Sequence, residues 1–310
     1  MPDYGHDLQF GFFLDPSVTY LSHTLEIAGL IDELGYDLIG IQDHPYQAKH
    51  VDSLTLATYV LAQTKRVRVF PDVANLPLRP PLMLAKQAAT LDLLSNGRFL
   101  LGLGAGGFWD AITAMDGPAR TPGEAIRALE EGVDLIRAFW RERSLRTSGE
   151  FYSANGLRPG PTPTNDIPVW LGVLGPKALA LTGRIGDGWV PSMPYVPPAK
   201  AVESNRRIDE AARAAGRDPS AIRRVYNLGG DISPVLEAPY SAEDTQIAGP
   251  VGHWVDVLTH LATEVGFSTF IFWGTPSRTL LRLYIEEIAP AVRERVAEVR
   301  ARRQASGASE

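Results

Sequence analysis

Short apolar runs alternate with helix-length segments along the whole chain, and this alternation constrains the fold more than any other feature. The clearest run is Arg98-Phe99-Leu100-Leu101-Gly102-Leu103, which leaves a helix through the turn Ser95-Asn96-Gly97 and ends in small residues from Gly104 to Gly107. Past Arg98 it has no polar position, so neither face suits water. A parallel sheet covered by helices buries both faces of such a strand. Runs at 8–14, 37–42, 66–70, 168–173, 188–191, 222–228 and 269–274 read as the other strands. Helices are predicted over about 17–34, 53–63, 82–94, 122–141, 176–185, 198–215, 251–265 and 278–303 from their spacing and end signals.

Eight strand-then-helix units imply a parallel sheet with right-handed crossovers, and eight such units close into a barrel. The expected fold is therefore α/β, a single (β/α)8 TIM barrel. An open doubly wound sheet competes, and the count of eight disfavours it. The stretch 144–165 is punctuated by Gly149, Gly156, Pro159, Gly160, Pro161 and Pro163. It reads as an excursion between the strand 4 and strand 5 units. One domain is expected over 1–305, with a disordered tail at 306–310.

The chain has 310 residues, enough for such a barrel, and a net charge of -6 with both signs interspersed. That pattern gives no footprint for nucleic acid or an anionic membrane. The absence of cysteine excludes disulfides, thiolate metal sites and a cysteine nucleophile. The N-terminus lacks a charged segment followed by an apolar one, and no apolar run approaches the ~20 residues needed to span a bilayer. A cytoplasmic location is expected.

Barrel enzymes carry their chemistry at the C-terminal ends of the strands. Here those ends supply Phe12, Phe13 and Asp15; Asp43, His44 and Tyr46; Asp72, Val73, Ala74 and Asn75; Gly104 to Trp109; Gly172 to Lys177; then Trp189, Ser192, Asn227 and Trp273. The set is aromatic and small, which suits a flat conjugated ring better than a sugar cleft or a two-metal site. His44 beside Asp43 is the proton-handling pair, since histidine titrates near neutrality and a carboxylate beside it can raise its pKa. A rim histidine bonded to backbone is the plainer alternative. No His or Glu pairing at a strand end has metal-ligand spacing. Gly172-Val173-Leu174-Gly175-Pro176-Lys177 matches a phosphate cradle at a helix N-terminus, and equally an ordinary helix start with proline. Gly104 to Gly107 reads as a close ligand approach or as a tight turn.

Several segments together resemble the bacterial luciferase-like flavin and deazaflavin oxidoreductases. They are Leu93 to Phe99 with Gly102 to Gly106, Asp43-His44, Arg79-Pro80-Pro81 with Lys86 to Asp92, and Gly183 to Trp189. The resemblance covers nearly the whole chain and implies a barrel holding FMN or the deazaflavin coenzyme F-420 at its mouth. It places a non-prolyl cis peptide at Asp72-Val73 beneath the ring, the family histidine at His44, and the cofactor phosphate against Gly175, Pro176 and Lys177. Gly104, Ala105 and Gly106 fall near the ribityl chain, and Ala74, Asn75, Gly172 and Trp189 complete the cofactor set. Phe12, Tyr46, Trp109 and Trp273 are expected to wall the substrate.

The chain departs from the deazaflavin-dependent sugar-phosphate dehydrogenases, which carry glutamate where it has Gly107. It departs from luciferase, which has cysteine and arginine where it has Gly104 and Ala105. The resemblance implies an FMN-dependent monooxygenase of a small organic substrate, with dioxygen, a flavin reductase and a homodimer as expected partners. The alternative is hydride transfer with coenzyme F-420; a non-catalytic flavin carrier and a cofactor-free hydrolase or aldolase lie further off.

Overall fold

The computed structural model describes residues 3–235 and 239–307. Its first half contains β1 (Gln9–Leu14), α1 (Leu21–Leu34), β2 (Leu38–Ile41), α2 (Ser53–Gln63), β3 (Arg68–Pro71), β4 (Ala74–Asn75), α3 (Pro81–Ser95) and β5 (Leu101–Gly104). Next come α4 (Trp109–Ala114), α5 (Pro122–Arg141), the hairpin β6 (Leu145–Ser148) and β7 (Ser153–Leu157), β8 (Val169–Leu171), α6 (Pro176–Ile185), β9 (Gly188–Trp189) and α7 (Pro198–Ala214). The chain finishes with β10 (Arg223–Ile232), β11 (Ile247–Gly249), α8 (Val251–His260), β12 (Thr269–Trp273), α9 (Arg278–Arg282) and α10 (Ala289–Gly307).

The main sheet runs β3-β2-β1-β12-β10-β9-β8-β5-β4, every pair parallel. β3 and β4 are successive pieces of one stave. β3 pairs with β2 and bridges at Val69 to Phe99, whereas β4 pairs with β5. Val69 N donates to Arg98 O at 2.8 Å and Leu100 N to Val69 O at 3.0 Å, which closes the ring. The TIM barrel expected from the sequence is the fold found.

Four regions depart from the sequence reading. The excursion contains the antiparallel β6–β7 hairpin, a separate two-stranded sheet. The loop at 108–121 contains the short α4. β10 continues past the expected end at 228 because β11 pairs with it from Gly230 to Ile232. α10 also reaches Gly307, two residues into the stretch read as a tail; the rest of that stretch lies outside the described residues. Among the described residues no helix is long and apolar enough to cross a membrane.

Alternation along each strand sorts side chains into two layers. Leu38, Phe70, Leu100, Trp170, Val190, Val225 and Ile271 fill the lumen, with Phe13 and Val73 packed on top. The odd partners face the helices: Phe10, Phe12, Ile39, Leu101, Trp189, Tyr226 and Phe272 join the large outer core. Shape sets several glycines. A Cβ on Gly188 would come within 2.4 Å of the Trp170 ring, so only glycine admits that indole to the lumen.

The polar residues of the recognised segments secure the other end of the barrel. Buried Asp92 accepts from the backbone and side chains of Thr164 and Asn165, which fixes the return of the excursion. Arg98 donates to the carbonyls of Leu61, Thr64 and Val67. Asp187 accepts from Val169 N and Arg137.

Candidate active site

At the C-terminal ends, strand alternation aims Phe13, Asp72, Gly104, Gly172, Asn227 and Trp273 inward. The Asp72–Val73 peptide is cis, in agreement with the resemblance. The Val73 side chain sits in a notch left by glycines: an added Cβ would lie 2.9 Å from it at Gly104 and 2.6 Å at Gly172. At Gly102 the same Cβ would lie 2.1 Å from the carbonyl oxygen of Pro71. These glycines therefore seat the bulged segment; open space for a ligand is not what they leave.

Asp43 differs from the proton-handling role expected of it. Its carboxylate is buried and fully engaged, accepting from Arg79 Nε at 2.7 Å, Arg79 Nη2 at 2.6 Å, Ser53 Oγ at 2.8 Å and Asn75 N at 2.8 Å. Arg79 also pairs with Asp52, the cap residue of α2. A guanidinium and two further donors already occupy both of its oxygens. Asp43 is a tie between β2, α2 and the segment after the bulge.

His44 is different. It is half-buried, stacked on Tyr46 with ring centroids 5.3 Å apart, and edge-on to the exposed Phe108 at 5.5 Å. Its pKa is lowered, first by burial and then by His50, and Asp43 opposes this only in part. Desolvation outweighs the neighbouring carboxylate, which reverses the direction that sequence adjacency suggests. Burial also raises Tyr46 to about 12, with Asp43 adding to the effect. Neither ring is ionised at neutral pH.

The expected substrate wall divides. Phe12 is fully buried on the helix side against Tyr36 and Phe272, so it cannot touch a ligand. Its neighbour Phe13 faces the lumen and packs on the exposed Trp273 at 6.1 Å. Period two along the strand was the signal that could have separated them. Trp109 is half-buried at the start of α4 and lines, with Gly107, Phe108 and Asp110, a hollow of about 440 Å³. A larger hollow of about 710 Å³, among Arg137, Thr162 and Asp187, lies at the opposite end of the barrel and meets none of these residues.

Two other expected cofactor residues belong to the outer core. Trp189 is fully buried beside Phe267, its Nε1 donating to Val173 O at 2.9 Å. Ala74 is likewise fully buried in that layer. Ala105 and Gly106 stay half-exposed at the rim. Gly175, Pro176 and Lys177 are exposed where α6 begins, with no side chain capping that helix and open space around Gly175.

The mouth passes a fit test for a flat ring with an anionic tail. Asn75 Oδ1 and Asp72 Oδ2 are buried oxygens without partners. Uncapped amides at α6 suit a phosphate, and aromatic rings stand on two sides. Among the described residues no group of His, Asp and Glu is placed to hold a metal.

A model of the luciferase-like monooxygenases matches residues 8–229. The chain belongs to that family. Among curated relatives of this luciferase-like chain, a 5,10-methylenetetrahydromethanopterin reductase of Archaeoglobus fulgidus is 28% identical over 220 residues, 70% of this chain and 62% of that protein. An F420-dependent glucose-6-phosphate dehydrogenase of Kineococcus radiotolerans is 29% identical over 195 residues, 60% of this chain and 57% of that protein. The chain thus spans less than two thirds of either relative. The solved F420-dependent secondary alcohol dehydrogenase in complex with an F420-acetone adduct shares the fold, with a TM-score of 0.82 at 19% identity, covering 93% of this chain and 99% of that one.

Proposed function

We propose that the protein transfers hydride between coenzyme F-420 and a small, uncharged alcohol or carbonyl substrate at the barrel mouth. The observation that carries this is His44, a half-buried neutral imidazole at the mouth with no ion pair of its own among the described residues, while Asp43 beside it is locked to Arg79. When bound, the deazaflavin supplies a hydride acceptor or donor. His44 would take the hydroxyl proton as the carbinol hydrogen leaves with its electron pair, and return it in reverse. Val73 would support the ring from below, with Asp72 and Asn75 beside it. Ala105 and Gly106 would line the chain between ring and phosphate, and the amides of Gly175 to Lys177 would meet the phosphate. Tyr46, Phe108, Trp109, Phe13 and Trp273 would enclose an apolar substrate and exclude water.

The dehydrogenase and reductase relatives support this reading. FMN-dependent monooxygenation is the second reading, and Gly107, where the deazaflavin-dependent sugar-phosphate dehydrogenases carry glutamate, favours it. It would bring dioxygen and a flavin reductase as partners. Titration of the purified protein with FMN and with coenzyme F-420, followed by turnover with and without air, separates the two. Anaerobic oxidation of alcohols with coenzyme F-420 is expected; turnover requiring FMN and dioxygen would replace the first reading with the second.

A further inference from the structure

A buried polar pair joins the bulged segment to the far side of the lumen. Asn227 Nδ2 donates to Asp72 Oδ1 at 3.0 Å. β3 and β10 are separated by β2, β1 and β12 on one side of the ring, so this bond, made by the residue that follows β3, crosses the lumen. Asn227 is 7% exposed, and its amide also reaches Ser192 Oγ at 3.4 Å. Asp72 Oδ2 and Asn227 Oδ1 are buried without partners. Gly40 leaves room for the carboxyl, since a Cβ there would lie 2.9 Å from Oδ2. Part of Asp72 remains exposed.

We propose that the lumen holds Asp72 in its protonated form, completely so only when a ring cofactor covers the mouth, so that cofactor binding is coupled to proton uptake at this residue. The proposal rests on the ring-binding reading of the mouth. Among the described residues, Asp72 meets Gly40 from β2, with Phe70 from β3 beside it, and Asn227 from β10, which in turn reaches Ser192 after β9; none of these can ionise. A lone amide donor is poor compensation for a buried carboxylate, and the carboxyl pKa rises to about 7, burial being the larger cause and the Asn227 bond opposing it. A flat ligand over the mouth removes the remaining water from Asp72, and a reduced, anionic ring adds repulsion. Both make ionised Asp72 costlier in the complex than in the free protein. Asp72 acts as a positioning residue: neutral, it braces the Val73 segment through Asn227; ionised, it opposes the ring.

The test measures dissociation constants of FMN and of coenzyme F-420 between pH 6 and 9, with proton uptake from calorimetry in buffers of different ionisation heat. Wild type should weaken up to tenfold per pH unit above the midpoint of Asp72 and take up a fraction of a proton near pH 7. Asp72→Asn, which keeps the Asn227 contact without the charge, should bind with an affinity that varies no more than the cofactor's own ionisation demands. An infrared carbonyl band of a protonated acid should appear in unliganded wild type at pH 6 and be absent from Asp72→Asn. Should that variant fail to fold, calorimetric proton uptake by wild type decides alone. An affinity as flat in wild type as in the variant, with no proton uptake, overturns the coupling. Failure of both cofactors to bind at every pH overturns the ring reading and the coupling together, while the infrared band still reports whether Asp72 is protonated.

Discussion

Asp43 and His44 are adjacent in sequence and opposite in circumstance. Asp43 meets Arg79, Ser53 and Asn75 N, whereas His44 meets aromatic rings. Replacing His44 with Ala should lower kcat by about 10²-fold or more and leave thermal unfolding within a few degrees of wild type. Its lowered pKa has a definite sign in the pH profile. A base works deprotonated, so the acid limb of kcat/KM should fall below the ordinary histidine value of about 6.5. A limb above that value would remove His44 as the base. Arg79→Leu leaves a buried carboxylate without its cation and should cost about 3 kcal/mol or more in denaturant unfolding. Asp43→Asn with Arg79→Leu should cost less than Arg79→Leu alone, because the uncompensated charge is then gone.

At the scale of elements, the bulge between β3 and β4 depends on neighbouring strands being thin. Gly172→Ala sets a methyl 2.6 Å from Val73, and only a shift of the bulge relieves it. The expected outcome is at least tenfold weaker cofactor binding with a stability loss of about 1–3 kcal/mol, read by fluorescence titration and chemical unfolding. Val73→Ala on the same background should recover part of both, since it removes the opposing atoms. The notch also shows where reading elements from sequence stops. Gly104 and Gly172 stood out in separate segments, but their partner Val73 lies about thirty residues or more from either along the chain, and only barrel closure brings the three together.

For the whole molecule, the buried acid in the lumen predicts how stability varies with pH. Asp72 has a folded-state pKa of about 7 against an ordinary carboxyl value of 3.8, so the native state holds a proton that the unfolded chain has already released between those values. Stability contributed by this residue is therefore full below about pH 4, declines as pH rises, and levels off above about pH 7. The span is up to about 4 kcal/mol, reduced by the water its exposed part meets. Asp72→Asn should remove this slope, so that the variant's advantage in unfolding free energy is greater at pH 8 than at pH 5. An advantage independent of pH would contradict a buried protonated acid.

The sequence by itself determined the number and order of the barrel units, the end at which chemistry gathers, and the segments that carry the family resemblance. Those properties follow from local rules: apolar periodicity, turn residues and helix starts act over a few neighbours, and eight repeats leave little choice of closure. Tertiary structure decided which way each side chain at the mouth faces and what it meets there. It turned Phe12 and Trp189 into the outer core and aimed Phe13 inward, because one residue of register selects the face of a strand. It also consumed Asp43 in an ion pair and stranded Asp72 across the lumen from Asn227. Burial and charge partners depend on residues brought together from distant parts of the chain, and local pattern does not contain that information.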